Sequence, residues 1–189
     1  EEFNTGVVGG SWVTSGSLNT ARDSLAGCGT NTAALAFGGE APPGKQALTE
    51  LYNGTNWTEV GDLGNSRSGL AGAGTTAAAL AFGGAEGGGV SARTELYNGS
   101  SWSNQSAMVN ARSRLAGIGT STAALGFGGQ SPTTANTELW NGSNWTEVNN
   151  LGNAGYGLAG AGTSTAGLAF GGQPRNAKTE LWNGTNWTE

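Results

Sequence analysis

The 189-residue sequence predicts an all-β protein, a propeller built from four-stranded blades. Three observations predict it. Short phrases recur at intervals of 43 to 45 residues, turn-forming residues separate the short apolar runs inside each unit, and no stretch keeps the 3.6-residue apolar period of an amphipathic helix. Units of this length with four short strands are typical of propeller blades arranged around an axis.

Three phrases, each present four times with small substitutions, carry the repeat. The phrase "TELYNGTNWTE" begins at 49 and returns at 94, 137 and 179, "TAALAFGG" begins at 32 and returns at 77, 122 and 165, and "LAGCGT" begins at 25 and returns at 70, 115 and 158. The phenylalanines of the second phrase lie 45, 45 and 43 residues apart, at Phe37, Phe82, Phe127 and Phe170. Because the 36 glycines recur at fixed places, they indicate turns and close packing instead of disorder.

Each unit divides into four strands, named a to d. In the second unit we expect them at 68–75, 77–83, 94–98 and 101–105. Asn-Gly between strands c and d predicts a hairpin with a type I′ turn, which needs positive φ at both central residues. Strand a is nearly all Gly, Ala and Leu, as expected where strands crowd at the hub. Strand b is apolar along its whole length, which predicts a sheet covered on both faces by neighbouring blades.

These units place blades at 22–60, 67–105, 112–148 and 155–189. The N-terminal residues 1–15 align with strands c and d, because Phe3 matches Tyr52 and Trp12 matches Trp57, and they predict a partial blade. The sequence given has no further a–b pair after the fourth blade that could complete that partial blade. An open arc would expose strand edges, which proteins avoid. We therefore expect an excerpt of a longer propeller of five or more blades, or a ring completed by another chain.

The order of residues in each unit resembles the kelch repeat: an apolar run ending in Gly-Gly, a variable loop, an aromatic residue, a tryptophan, and an arginine that opens the next unit. The matching positions are Gly38-Gly39, Tyr52, Trp57 and Arg67, and then Gly83-Gly84, Tyr97, Trp102 and Arg112. The fourth unit departs from the pattern, since Gly155 stands where the arginine is expected. The Gly/Ala/Thr-rich units also resemble repeats of phage fibre and marine microbial surface proteins. The resemblance implies a kelch-like β-propeller that is a binding platform at an extracellular or virion surface.

Charge and composition argue against several functions. The chain has 8 Lys and Arg against 13 Asp and Glu, and this net charge of −5 gives no general attraction to nucleic acid. No apolar run approaches the ~20 residues that span a bilayer, so we expect no membrane insertion. Histidine, the commonest general base and metal ligand, is missing from the sequence. We therefore expect no catalytic residue, no metal site and no cofactor, and the copper ligands of the oxidase members of the kelch class are lacking.

Several distinctive residues are interpreted as structural because of what stands at their positions in the other units. Cys28 corresponds to Ala73, Ile118 and Ala161, so it is predicted to pack as a small apolar residue. Met108 corresponds to leucines in the other units and is predicted to lie in the core. The glutamates that recur once per blade are interpreted as ion-pair or edge residues: Glu50, Glu95, Glu138 and Glu180.

The tryptophans at the ninth place of the repeated phrase allow two interpretations. They either fill the gap between neighbouring blades or form stacking platforms for sugars, and the set is Trp12, Trp57, Trp102, Trp145 and Trp187. A gap-filling role suits the identical residue in every unit. A platform role would make the protein a multivalent carbohydrate-binding lectin with one shallow site per blade, at Trp57, Trp102, Trp145 and Trp187, and repetition would raise its avidity.

The two faces of the predicted propeller differ in how strongly the units diverge. The a–b and c–d turns share one face and are nearly identical between units, whereas the b–c loops and d–a connections share the other face and vary. All eight basic residues fall in these variable segments. The recurring Arg22, Arg67 and Arg112 are predicted to pair with a carboxylate or to bind carbonyls. The candidate binding residues are Lys45, Arg93, Arg114, Tyr156 and Arg175, since loops on a rigid scaffold commonly carry recognition.

These observations favour a non-catalytic structural and recognition module of a larger surface, virion or fibre assembly. It would bind a protein partner or a surface glycan through the divergent loop face. The multivalent lectin is the alternative, and repeated weak sugar binding on the opposite face would distinguish it.

Overall fold

A computed structural model of the chain describes residues 14–175 and 177–189. These residues form four antiparallel sheets of four strands each, arranged as the blades of a propeller, and none of them is helical. Blade 1 contains β1 (Ala26–Gly29), β2 (Ala34–Phe37), the short hairpin β3 (Glu40–Ala41) and β4 (Gly44–Lys45), then β5 (Thr49–Tyr52) and β6 (Trp57–Glu59). Blade 2 contains β7 (Ala71–Gly74), β8 (Ala79–Phe82), the hairpin β9 (Ala85–Glu86) and β10 (Gly89–Val90), then β11 (Thr94–Tyr97) and β12 (Trp102–Gln105).

Blades 3 and 4 lack a paired b–c hairpin within the described residues, and their strands are otherwise equivalent. Blade 3 contains β13 (Ala116–Gly119), β14 (Ala124–Phe127), β15 (Thr137–Trp140) and β16 (Trp145–Val148). Blade 4 contains β17 (Ala159–Gly162), β18 (Gly167–Phe170), β19 (Thr179–Trp182) and β20 (Trp187–Thr188). The predicted all-β propeller of four-stranded blades is confirmed. The predicted partial blade falls mostly on residues 1–13, which lie outside the described residues.

Strands a and b are shorter than the predicted 68–75 and 77–83. Gly69 has a φ of 61° and Gly74 a φ of 112°, so left-handed backbone bounds strand β7 on both sides. Ser68, which was placed in the strand, instead forms an isolated bridge to Ala85 at the start of the b–c loop. Equivalent bridges join the d–a connection to the b–c loop in every blade, which confirms that these two segments share one face.

The hairpin between strands c and d is confirmed, but its turn differs from the predicted type I′. Tyr52 pairs with Trp57, and the central residues of the turn are Gly54 and Thr55. Positive φ is found only at Gly54, at 95°, which is the pattern of a type II′ turn. The Asn53 side chain accepts hydrogen bonds from the N–H groups of Thr55 and Asn56. The asparagine therefore closes the turn from its first position, as the Asx geometry allows.

The hydrophobic core lies between the blades, in three clusters that correspond to the three blade junctions. At each junction, a phenylalanine of strand b packs against a tryptophan of strand d in the next blade. The pairs are Phe37–Trp102, Phe82–Trp145 and Phe127–Trp187, with ring centroids 4.8 to 4.9 Å apart. In blades 2 and 3 both faces of the sheet contribute to a junction, which accounts for a strand b that is apolar along its length.

A chain of backbone hydrogen bonds links successive blades beside the inner strands. Gly69 N–H donates to Ser24 C=O, Arg114 N–H to Gly69 C=O, and Gly157 N–H to Arg114 C=O, each at 2.7 Å. All four residues have positive φ, between 52° and 64°. Among residues 14–175 and 177–189, no bond from Ser24 N–H to Gly157 C=O closes the chain into a ring. The described residues of the four blades therefore form an open arc.

Candidate functional site

Each blade contains a buried ion pair between an arginine and the glutamate of strand c, and in blades 1 to 3 this pair fixes the start of the blade against strand c. Arg67 donates to Glu95 at 2.7 Å and to the carbonyl of Gly83 at 2.8 Å, and both charged side chains are fully buried. Arg22–Glu50 and Arg112–Glu138 repeat this arrangement. The predicted ion-pair role of the recurring glutamates and the structural role of the three arginines are confirmed.

The second carboxylate oxygen of each glutamate holds the d–a connection. It accepts a backbone N–H from Asn19, Gly64, Val109 or Gly152 in blades 1 to 4, at 2.6 to 2.7 Å. For Glu50, burial raises the pKa, but the hydrogen bonds from Asn19 and Arg22 outweigh it and leave the pKa below its usual value. Glu50 is therefore a charged structural group, and the other three glutamates occupy the same buried, hydrogen-bonded position in their blades.

Arg175 takes the place of the arginine that the fourth unit lacks. Its guanidinium donates to Glu180 at 2.5 Å, and both side chains are buried. A Cβ added to Gly155 would lie 2.5 Å from Cδ of Arg175, so the arginine side chain fills the space beside that glycine. The expectation that Arg175 is an exposed recognition residue is therefore corrected. The cation that pairs with Glu180 therefore comes from the b–c loop, whereas in the other three blades the cation that pairs with the strand-c glutamate comes from the d–a connection.

Two of the sequence-predicted binding residues come together on the loop face. Lys45 from blade 1 and Arg114 from blade 3 line one polar depression of about 200 Å³. The depression is also lined by Glu40, Ser68 and Gln130, so it offers two cations beside a carboxylate, a hydroxyl and an amide. Lys45 also lines a wider neighbouring depression of about 540 Å³, which extends to Ser131. The arrangement can hold a carboxylate and hydrogen-bond its polar neighbours.

The backbone rigidly positions Arg114. Its φ of 52° is rare for a non-glycine residue, and backbone hydrogen bonds hold both its N–H and its C=O. The corresponding positions in the other blades are Ser24, Gly69 and Gly157, so a long cation occurs here once among the four blades. Its side chain is exposed, which leaves it available to a ligand.

The remaining candidates lie on the same face but away from the polar depression. Arg93 pairs with Glu86 at 2.9 Å, and its side chain is 46% exposed. Tyr156 donates to the Gln173 side chain at 3.0 Å in blade 4. Sequence reasoning missed Glu40 and Gln130, although each follows directly on a Gly-Gly pair and is paired across to the d–a connection. The variation at this position between units, Glu, Ala, Gln and Gln, was the available signal.

Three tryptophans of strand d, in blades 2 to 4, are packed between blades, whereas Trp57 of blade 1 packs against Tyr52 of its own blade. The indole N–H of Trp102 donates to Thr49 Oγ1 of the preceding blade at 3.0 Å, Trp145 donates to Thr94 at 2.8 Å, and Trp187 donates to Thr137 at 3.0 Å. Their rings also cover phenylalanines of that blade, and Trp145 and Trp187 are buried. The ring and the indole N–H of these three tryptophans are therefore already engaged between blades, whereas a sugar platform would need them to be available to a ligand. Trp12 lies outside the described residues.

Cys28 and Met108 occupy packing positions, as their counterparts in other units predict. Cys28 lies at the junction of blades 1 and 2, and burial raises the pKa of its thiol to about 12. At neutral pH the reactive thiolate is therefore scarce. Met108 lies in the core between blades 2 and 3. Leu63 and Leu151 occupy the equivalent places in the other two junctions.

Comparison of the chain with models of known protein families finds no match, and comparison with curated proteins finds none either. Within the described part of the chain, no helix is long and apolar enough to cross a membrane. In the same residues, no group of three or more Cys, Asp or Glu side chains is placed to hold a metal ion. The loop-face depression is the candidate site that the geometry supports best.

Proposed function

We propose that the protein is a non-catalytic structural and recognition propeller, a kelch-like module of a larger surface, virion or fibre assembly. It binds a protein partner through the loop face around Lys45 and Arg114. The observation that supports this most is that these two cations, from blades 1 and 3, line the same polar depression. Neither residue is required by the repeat, because blades 2 and 3 fold without a cation at the place of Lys45, and blades 1, 2 and 4 fold without one at the place of Arg114.

The chemistry of the depression favours a partner that presents a carboxylate. Lys45 and Arg114 supply the charge, while Ser68 and Gln130 supply a hydroxyl and an amide within the same depression. Glu40 lies beside them and accepts a hydrogen bond from Ser68 at 3.3 Å, so it would repel a partner with a misplaced anion. An exposed acidic side chain flanked by polar groups on a protein surface fits this set. Charge complementarity of this kind gives specificity and a fast association rate.

The experiment compares two variants of equal charge. Arg114→Ala and Lys178→Ala each remove one cation, but Lys178 lies near the edge of blade 4 and pairs with Glu189. Binding is measured on an array of acidic and neutral peptides and on a glycan array. We expect acidic peptides to bind the wild type, Arg114→Ala to weaken binding at least about tenfold, roughly 1.4 kcal/mol, and Lys178→Ala to leave it unchanged. Equal losses in both variants would show a general charge effect and contradict the proposal.

The same experiment tests the lectin alternative. A lectin with one site per blade would give several weak sugar sites that persist in Arg114→Ala. The contacts of Trp102, Trp145 and Trp187 with the preceding blades do not favour that alternative, because those rings lie between sheets. Repeated sugar binding without acidic-peptide binding would replace the proposal by the lectin.

A further inference from the structure

The face of blade 4 that points away from blade 3 differs from the same face of the other blades. Leu168, Phe170 and Leu181 are 37%, 39% and 52% exposed. The residues equivalent to Phe170 in blades 1 to 3 are fully buried: Phe37, Phe82 and Phe127. Thr179 is exposed as well, while its counterparts Thr49, Thr94 and Thr137 are buried. Contiguous exposed apolar residues of this kind mark an interaction surface.

The three existing junctions show what covers this face elsewhere. In each of them, a tryptophan of the following blade packs on the phenylalanine and donates its indole N–H to the threonine, as Trp102 does with Phe37 and Thr49. The geometry is nearly constant, with N–O distances of 2.8 to 3.0 Å. Blade 4 also has the phenylalanine and the threonine, Phe170 and Thr179, but among residues 14–175 and 177–189 no tryptophan packs on the one or donates to the other.

Blade 1 presents a tryptophan of this kind at the other end of the described arc. Trp57 stands in β6 where Trp102 stands in β12, and it packs against Tyr52 of its own blade. Within the described residues, no threonine accepts its indole N–H and no phenylalanine ring packs on it. The backbone is matched in the same way, because Ser24 N–H and Gly157 C=O are the two ends of the hydrogen-bond chain between blades. The two ends of the arc therefore carry the two halves of one junction.

We propose that the protein associates head to tail, with blade 1 of a second copy docked on the open face of blade 4. Trp57 of the second copy packs on Phe170 and donates to Thr179 Oγ1, forming a fourth junction of the same type as the three inside the chain. A contact between two different patches is heterologous, so it extends into rings or filaments instead of stopping at a symmetric dimer. This surface is distinct from the loop face, and the proposal does not rest on the partner proposed above.

Sedimentation velocity over a wide dilution series tests the association. We expect the wild type to show a mass that rises with concentration. Leu181→Lys places a charge in the proposed contact and is expected to weaken association at least about tenfold. Val109→Lys is the matched control, because Val109 is an exposed apolar residue, 56% exposed, between blades 2 and 3. We expect this control to associate like the wild type.

A mixing experiment tests the head-to-tail arrangement. Trp57→Ala disrupts the contact surface of blade 1, and Leu181→Lys disrupts the contact surface of blade 4, so self-association of each variant is weakened. In an equimolar mixture, the intact blade 4 of one variant meets the intact blade 1 of the other, and a one-to-one pair forms that cannot extend. Circular dichroism confirms the fold of each, and Trp57→Phe, which keeps an aromatic ring and loses the indole donor, replaces Trp57→Ala if that variant does not fold. A wild type that stays monomeric at every concentration overturns the proposal, as does a Leu181→Lys variant that associates as strongly as the wild type. Failure of the mixture to pair overturns the head-to-tail arrangement.

Discussion

Replacing Arg175 by alanine tests whether a loop arginine has taken over the buried ion pair of blade 4. The variant leaves Glu180, which is 1% exposed, with only a backbone N–H from Gly152 as its remaining partner in the described structure. Removing one partner of a buried pair costs about 3–5 kcal/mol, because the other charge stays buried. At this chain length each kcal/mol lowers the melting temperature by about 2–4 °C, so a decrease of roughly 6–20 °C is expected.

The sharper test is rescue by a second substitution. Gly155 is the position at which the other blades carry Arg22, Arg67 or Arg112, and its backbone makes the same hydrogen bonds as that of Arg67. Its φ is not in the left-handed region, and Arg175→Ala removes the two atoms closest to an added Cβ, so a side chain at this position gains the space it needs. We expect the double variant Gly155→Arg/Arg175→Ala to recover at least about half of the lost stability.

Urea unfolding followed by tryptophan fluorescence measures both effects. Gly155→Arg alone should be destabilised, since its side chain would collide with Arg175. Arg93→Ala is the control: it removes a partly exposed pair with Glu86 and should cost no more than about 1 kcal/mol. A double variant no more stable than Arg175→Ala would refute the reasoning, because the two positions would then not be interchangeable sources of the same cation.

Three further outcomes are expected. Trp102→Ala should lose about 3–5 kcal/mol in urea unfolding, because it removes the contact with Phe37 between blades; a surface platform would leave unfolding unchanged. Cys28→Ala should change stability by less than about 1 kcal/mol, and the wild-type thiol should react slowly with a thiol reagent at pH 7, since its pKa is about 12; fast labelling would contradict this. Glu50 has a folded pKa below the ordinary 4.5, so its contribution to stability is present above pH 4.5 and is lost as the pH falls through the folded value. Glu50→Gln should therefore reduce the loss of stability that the wild type shows below pH 4.5. An unchanged pH dependence in this range would count against the assignment.

The repeat made most of the fold predictable. A unit that recurs with its glycines in register must bury the same face each time, so the sheets, the gap-filling tryptophans and the once-per-blade glutamates follow from one unit. The turn between strands c and d was predicted with the wrong type, because "NGTN" and a two-residue Asn-Gly turn look alike in sequence. What separates them is which residue pairs across the hairpin, and strand register is set by packing and not by the turn residues alone.

The site was less predictable, because loop paths have no period. The sequence places Lys45 and Arg114 on one face, but only the fold brings residues 69 positions apart to the same depression. Arg175 was misjudged for the same reason. A signal was present: the fourth unit keeps Glu180 while losing its arginine, and a buried carboxylate without a cation is costly, so a substitute had to come from another segment.

The junction between blades has a consequence for how such a chain changes length. Each junction uses one phenylalanine and one threonine from a blade and one tryptophan from its neighbour, so interactions extend only to the nearest blade. Duplicating or deleting one whole unit of about 45 residues leaves every remaining junction chemically intact. The number of blades can thus vary through in-frame recombination between near-identical repeats, while the loop face diversifies independently, one blade at a time.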